Sequence, residues 1–159
     1  MFRSVFGPVA FLLAAGPALA DDGAKLVGMW KLVSYETEVS GSGERRPDFG
    51  ASPAGYVVFT ADGRVIGVIE AEGRAIPRTE ADAARAFQTA ISYSGTYRLE
   101  GDKWTTTIDV ATNPAWTGKD SVRTVKFEGD RMLVTSAWVP NPLLGGKISR
   151  NHLGFERVK

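Results

Sequence analysis

Three polar side chains stand where a β-strand would direct them to the same side as large apolar residues. Tyr93 and Tyr97 share one face of an alternating segment, and Arg123 shares a face with Val125 and Phe127 in another. Phenol and guanidinium groups donate hydrogen bonds, and an arginine among apolar residues needs an acceptor. A few placed polar groups in an apolar surface are typical of small-molecule sites, so these residues would orient the polar end of an apolar ligand.

Alternation adds polar residues from other segments to this set. Ser34 and Glu36 follow Trp30 at even spacing, and Asn151 precedes Phe155 in the same way, so we expect these polar side chains to point inward. The candidate ligand-binding residues are Ser34, Glu36, Tyr56, Tyr93, Tyr97, Trp116, Arg123 and Asn151.

Each candidate also has a purely structural interpretation. Arg123 could pair with Glu36 or Asp109 while the tyrosines bond to the backbone, and then nothing binds. Trp116 stands in the polar loop 113–118, where it could close over a ligand or fold back to cover a strand. Large aromatic residues usually anchor packing, which favours the second interpretation for Trp116.

The sequence has no recognisable metal or catalytic motif. His152 is the only histidine and cysteine is absent, so His152 lacks the companions of a zinc site. Alternation places His152 on the outward face of its strand, without a partner to orient it as a base, which indicates a surface role. No nucleophile elbow, phosphate loop or dinucleotide motif is present. We expect no metal and no cofactor.

The elements that must position these residues are mainly strands. Runs rich in β-branched and aromatic residues are separated by short turns with Gly and Asp. Thr79 and Asp82 form a capping box that begins one helix, which runs to about residue 91. Predicted strands cover residues 30–39, 55–60, 64–70, 93–99, 104–111, 121–127, 132–139 and 147–158.

The order of these elements predicts an all-β fold. Sequential strands without alternating helices indicate an antiparallel meander, which can close into a barrel or split into a sandwich. A barrel of eight strands leaves room for side chains or for one small ligand. We expect a graded interior, polar toward one end and plugged at the other by Trp30, Leu32, Leu99, Phe127, Phe155 and Arg157.

Several segments resemble one known family. Gly28-x-Trp30 in the first strand and Arg157 in the last resemble the calycin signature. The runs GMWKLVSYE, GYVVFTADGR, YSGTY and NPAWTG then follow in order, beginning at Gly28, Gly55, Tyr93 and Asn113. Together they are similar to the bacterial and fungal lipocalin-like domain family, over essentially the whole chain after residue 20.

The resemblance implies a specific architecture. It is an eight-stranded antiparallel up-and-down β-barrel, lipocalin-like, with one short helix after the third strand. In the family the tryptophan closes one end of the barrel and an arginine of the last strand packs over it. Gly28, Trp30 and Arg157 are therefore expected to be structural, with a cation–π contact joining the first strand to the last.

The first twenty residues have the features of a cleaved signal peptide. Arg3 precedes an apolar stretch, and residues 17–20 end in an A-x-A pattern directly before Asp21. The apolar stretch is shorter than the roughly 20 residues that span a bilayer, so we expect no stable membrane insertion after cleavage. The expected organisation is a signal peptide over 1–20 and a barrel domain over 21–159, located in the periplasm or secreted.

Charge excludes one class of partner. The chain has 19 Lys and Arg against 18 Asp and Glu, and the loss of Arg3 with the signal peptide makes the two counts equal. Such a balance offers no electrostatic surface for nucleic acid. The expected partner is a small hydrophobic ligand.

Three functions are compatible with this barrel. The first is binding of a small hydrophobic or amphipathic ligand in the cavity. The second is a cofactor-independent isomerase or cyclase, in which Tyr93, Tyr97, Glu36 and Arg123 polarise an apolar substrate or move its protons. The third is a filled barrel that acts through its surface as an interaction module.

Overall fold

Antiparallel strands follow one another along the chain and close on themselves in the computed structural model, which describes residues 22–141 and 144–159. The strands are β1 (Gly28–Val39), β2 (Arg45–Arg46), β3 (Ala54–Phe59), β4 (Arg64–Glu70), β5 (Ala90–Glu100), β6 (Lys103–Ala111), β7 (Asp120–Glu128), β8 (Arg131–Ser136), β9 (Val139–Asn141) and β10 (Lys147–Arg157). One α-helix, α1 (Glu80–Gln88), and two short 3-10 segments, Asp22–Lys25 and Pro114–Trp116, complete the described elements.

The barrel closes where the first strand meets the last. β1 pairs with β10, and Trp30 stands directly opposite Arg157 in that pairing. Eight strands form the closed ring, while β2 and β9 are short additions beside β1 and β10. The predicted eight-stranded up-and-down barrel is confirmed, with α1 after the third strand of the ring.

The connections divide the barrel into two unlike ends. At the end that we call the closed end, β3–β4, β5–β6 and β7–β8 are joined by short turns. At the opposite, open end, longer connections cover residues 40–53, 71–89, 112–119 and 137–146. The predicted strand over 132–139 is wrong in its last part, because β8 ends at Ser136 and β9 pairs only with β10.

The helix begins at the predicted capping box but adds little to the core. The Thr79 side chain accepts a hydrogen bond from the Asp82 amide, and the Asp82 carboxylate accepts one from the Thr79 amide. No residue of α1 is buried, and its Phe87 is 54% exposed. The helix ends at Gln88 rather than near residue 91, because the chain joins β5 at Ala90.

The core fills the closed end. Trp30 is fully buried and lies at a tilt against Phe127, and Phe59 meets both Tyr97 and Trp104 edge to face at 4.9 Å. Such edge-to-face contacts are favourable geometries for aromatic pairs. The predicted plug at one end of the interior is therefore present.

Candidate functional site

An internal cavity of about 420 Å³ lies toward the open end. Its deep wall contains Val57, Trp104 and Phe155, and Trp116 and Lys119 line it near the open end. The volume is in the range of ligand pockets, and most of the lining is apolar. The interior is thus graded as expected, filled at one end and hollow toward the other.

Among the described residues, Arg123 is the only arginine that lines the cavity. In the sheet it stands opposite Trp104 on β6 and opposite Ser136 on β8. Its guanidinium carbon lies 4.7 Å from the centre of the Trp104 ring and 5.3 Å from that of Tyr93. The guanidinium therefore faces two aromatic rings, as cation–π contacts require.

The ion pairs considered for Arg123 are not formed. Asp109 instead pairs with Arg64 at 2.6 Å, and Glu36 lies 3.9 Å from Arg45. The physical reason is that both carboxylates lie outside the barrel. No carboxylate of residues 22–141 or 144–159 forms a salt bridge with Arg123.

Two buried donors in this wall have no hydrogen-bond partner within the described residues. They are Nη1 of Arg123 and Nε1 of Trp104. A buried donor without an acceptor costs about 1–3 kcal/mol relative to a hydrated one. An acceptor brought by a ligand would remove this cost.

A glycine on the neighbouring strand positions Tyr93. Gly67 stands opposite Tyr93 in the pairing of β4 with β5, and a Cβ at Gly67 would lie 2.8 Å from Cε1 of the tyrosine ring. The ring therefore rests on the bare backbone of Gly67 and faces the cavity beside Arg123. The inward orientation predicted for Tyr93 is confirmed.

Tyr97 takes a different place. Its hydroxyl donates to the Thr60 carbonyl at 3.0 Å, and its ring meets Phe59 edge to face. Tyr97 belongs to the packing of the closed end and is not among the residues that line the cavity. The structural interpretation, with a tyrosine bonded to backbone, holds for Tyr97.

A β-bulge reverses the face of β1 halfway along the strand. The register with β10 shifts between Leu32 and Ser34, so the residues after the bulge exchange sides. The expectation that Ser34 and Glu36 point inward is wrong for this reason. Both line a separate polar depression on the outer surface, together with Lys126.

Tyr35 takes the inward position instead. It is buried, lines the cavity, and stacks on Phe49 at 4.1 Å between ring centres. Burial raises the pKa of Tyr35 well above its ordinary value, the charge of Asp48 raises it further, and the charge of Arg123 opposes both. Tyr35 is therefore a neutral phenol at physiological pH.

The remaining candidates divide between the cavity and the outside. Trp116 and Asn151 both line the cavity, and the Asn151 side-chain carbonyl accepts a hydrogen bond from Thr37. Asp120 also lines the cavity and contacts the Thr107 hydroxyl at 2.6 Å.

Tyr56 is 45% exposed on the outer face of β3, opposite Val68, and does not line the cavity. The inclusion of Tyr56 failed because β3 is apolar on both faces, so alternation could not assign it.

Sequence reasoning missed Tyr35 and Trp104 as parts of this wall. Tyr35 was hidden by the bulge, although the spacing of large residues at Leu32 and Tyr35 already breaks a period of two. Trp104 carried a clearer signal, because it stands at the start of a strand with buried Thr106 and Ile108 at even spacing.

A second polar cluster lies on the outside of β1 and β10. The Glu38 carboxylate accepts hydrogen bonds from Nε of Arg150 at 2.8 Å and contacts Nε2 of His152 at 2.7 Å. Thr135 lies 3.3 Å from Nδ1 of the same histidine. The outward direction predicted for His152 is confirmed, but its side chain is only 12% exposed and has a partner, which corrects the expectation of an unpaired surface histidine.

The contacts at the start of β1 are those that the resemblance implied. Arg157 covers the Trp30 ring, and Trp30 Nε1 donates to the Leu26 carbonyl at 2.8 Å. Gly28 has a φ of 125°, and a Cβ there would lie 3.0 Å from Nη1 of Arg157. A side chain at Gly28 would thus be strained and would press on the arginine.

The described residues contain neither a cluster of metal-binding side chains nor a helix that could span a membrane. No group of three His, Asp or Glu side chains is arranged to hold a metal ion. None of the helices in this part of the chain has the length and apolarity to cross a membrane.

Comparison with known proteins identifies the family of the chain. No curated protein matches the chain. Among solved structures, it is similar to an uncharacterized protein from Bacteroides eggerthii DSM 20697, determined by crystallography at 2.60 Å. The two are 13% identical, and the match covers 84% of this chain and 99% of that chain with a TM-score of 0.42. A family model described as a lipocalin-like domain matches residues 27–158, and the chain belongs to this lipocalin-like domain family.

Proposed function

We propose that this protein binds a small hydrophobic or amphipathic molecule inside its barrel. The observation that carries the proposal is the cavity of about 420 Å³, lined mainly by apolar side chains with a few polar groups. Burial of an apolar ligand surface contributes about 25 cal/mol per Å² before the costs of association. An interior filled by side chains would have favoured the alternative of a surface module.

The geometry gives less support to the enzymatic alternative. The isomerase or cyclase mechanism used Glu36 as its acidic group, and Glu36 lies on the outer surface. Tyr97 is engaged with the Thr60 carbonyl in the closed end. Of the four residues in that mechanism, Tyr93 and Arg123 remain in the cavity, and both are suited to orienting a ligand.

Binding is tested with protein freed of bound lipid and titrated with a fluorescent apolar probe. Ile69→Trp adds bulk at a cavity-lining position that is 7% exposed, while Val68→Trp adds the same bulk at the adjacent outward position, which is 55% exposed. We expect Ile69→Trp to abolish probe binding and Val68→Trp to retain it. Native mass spectrometry of freshly purified protein should also reveal a bound small molecule. Failure of every apolar probe to bind the folded wild type would refute the proposal.

We further propose export to the periplasm or the medium, with removal of residues 1–20. This part of the proposal is supported by Arg3, the apolar stretch and the A-x-A pattern before Asp21. These residues lie outside those that the structure describes. N-terminal sequencing of the protein recovered from its native cell should give Asp21 as the first residue, and an intact Met1 would contradict export with cleavage.

A further inference from the structure

The cavity contains a positive charge that no described residue neutralises through an ion pair. An arginine remains charged at every physiological pH, and Arg123 forms no salt bridge within the described residues. Its Nη1 is buried without an acceptor. We propose that the cavity selects ligands with a carboxylate head and that Arg123 is the residue that receives it. This inference rests on the proposed function, because it presupposes that a ligand enters the barrel.

The acid that lines the cavity and the acid that acts on Tyr35 are both engaged elsewhere. Asp120, which lines the cavity, contacts Thr107 at 2.6 Å and Arg98 at 3.7 Å. Asp48, whose charge acts on Tyr35, lies 3.9 Å from Arg46. Neither forms a salt bridge with Arg123. The charge of Arg123 is thus left for a group that comes from outside.

The aromatic neighbours compensate the charge only in part. Trp104 and Tyr93 offer their ring faces to the guanidinium, at 4.7 and 5.3 Å from their ring centres. A ring face attracts a cation but does not replace a hydrogen-bond acceptor for its N–H groups. Tyr35, another aromatic residue of the cavity lining, is a neutral phenol and so cannot act as the counter-ion.

The chemistry of the ligand head group follows from the shape of the Arg123 guanidinium. A guanidinium presents its N–H groups in a planar fork that matches the two oxygens of a carboxylate. Lys119 and Asp120, which also line the cavity, carry opposite charges and lie toward the open end. At the deep wall Arg123 supplies one positive charge, which matches a monoanion. Trp104 adds a second donor without a partner in the same wall, and the wall also contains the apolar Ile69 and Ile108 for an alkyl chain. The ligand class is therefore an aliphatic monocarboxylate.

The position of the arginine sets the direction of the ligand. β7 begins at Asp120 toward the open end, and Arg123 lies further along the strand, beside Trp104 at the deep wall. A carboxylate bound to Arg123 would lie inside the barrel rather than at its mouth. Water is largely displaced from such a site by the ligand, which strengthens the charge-assisted hydrogen bond.

The test compares ligands of equal chain length and different head groups. Decanoate, decanol and decylamine are titrated at neutral pH into wild-type protein freed of lipid, by displacement of the fluorescent probe. We expect decanoate to bind at least about tenfold more tightly than decanol, and decylamine to bind most weakly. Equal affinities for decanoate and decanol would overturn the inference and leave the proposed function standing. Absence of binding by all three and by the probe would refute both.

Variants assign the preference to Arg123. Arg123→Met keeps an unbranched side chain without the charge, and we expect it to weaken decanoate binding at least about tenfold while decanol changes by less than about threefold. Arg131→Met removes an arginine from the exposed start of β8 and should change neither affinity. A decanoate preference that survives in Arg123→Met would overturn the assignment. If Arg123→Met does not fold, Arg123→Lys provides the test, and we expect a reduced decanoate preference because the planar fork is lost.

Discussion

Arg157 lies over the face of Trp30, with its guanidinium carbon 4.1 Å from the ring centre. Its two terminal nitrogens donate to the carbonyl oxygens of Val27 and Lys25, each at 2.8 Å. The arginine belongs to the last strand and its three partners belong to the beginning of the barrel domain. One side chain therefore fastens the two ends of the sheet where the barrel closes.

Removal of this arginine should destabilise the whole barrel. Arg157→Met loses a cation–π contact and two charge-assisted hydrogen bonds to backbone, and we expect the free energy of unfolding to fall by about 2 kcal/mol. Urea denaturation followed by tryptophan fluorescence measures this loss. Arg131→Met, at the exposed start of β8, is the matched control and should remain within about 0.5 kcal/mol of wild type. Equal stability of the two variants would contradict a closing role for Arg157.

The contact between Gly67 and Tyr93 should couple the two positions in ligand binding. In Gly67→Ala the new methyl group would meet the tyrosine ring at 2.8 Å, so the ring must turn away from its place beside Arg123. We expect the variant to weaken binding of the apolar probe, and Tyr93→Ala to do the same. In the double variant the Gly67→Ala change should have little further effect, because the ring that it displaces is gone. Additive losses in probe affinity would show that the two residues act independently.

The capping box should control α1 without controlling the barrel. Thr79→Ala removes the side chain that accepts from the Asp82 amide, at a cost of about 1 kcal/mol to the helix. Because α1 has no buried residue, this cost should remain local. We expect faster hydrogen exchange at the amides of α1 and an unchanged melting temperature. A lower melting temperature would mean that the helix supports the barrel more than its exposure indicates.

The outer cluster around Glu38 should make stability depend on acid. Hydrogen bonds from Arg150 and His152 lower the pKa of Glu38 below its ordinary value of 4.5. A lowered pKa in the folded protein gives stability that is present above the ordinary value and is lost as the pH falls through the folded value. We therefore expect Glu38→Gln to have a lower melting temperature than wild type at neutral pH, and the two proteins to converge as the pH falls below the ordinary pKa of the carboxyl group and through its lower folded value.

Thermal melts across this pH range measure the convergence. Glu156→Gln serves as the control, since Glu156 is exposed on the same strand as His152. Its difference from wild type should be small at every pH. A Glu38→Gln difference that stays constant into acid would show that the carboxylate contributes by packing rather than by its charge.

Local sequence signals were sufficient for most of the strands. They left a barrel and a sandwich both open, and the closure of the barrel was implied by the family resemblance. Short turns with Gly and Asp separate alternating segments, and each of those signals depends on a few adjacent residues. The contact of Trp30 with Arg157 was available only through the family resemblance. Alternation also placed Tyr93 and Arg123 inside. The register of β5 with β6 shifts between Ser94 and Gly95, but the residue that it skips lies on β6, so β5 keeps its alternation. The pairings of β7 contain no shift.

The face of β1 could not be predicted beyond its bulge. The extra residue between Leu32 and Ser34 is defined by the pairing with β10, and that partner lies more than a hundred residues away in the chain. One residue is enough to reverse inside and outside, so Ser34 and Glu36 were misplaced and Tyr35 was missed. A register shift of this kind depends on tertiary pairing rather than on local composition.

Local reasoning also could not predict that no acid among the described residues forms a salt bridge with Arg123. Glu36 and Asp109 are both plausible partners by sequence, but their orientation depends on the strands around them. Arg45 lies on β2, which pairs with the strand of Glu36. Arg64 lies on β4 and contacts Asp109 of β6 across the outer face of β5. Whether Arg123 has an ion-pair partner therefore depends on the positions of side chains from several strands at once.

The separation of tight turns at one end from long connections at the other has an evolutionary consequence. Mutations that change the length or the residues of the segments 40–53, 112–119 and 137–141 fall at the open end, away from the aromatic packing of the closed end. Related chains can therefore differ at the open end of the barrel while they keep the same closed end. Exchange of these segments between homologues tests whether the open end sets the preference for the proposed ligand.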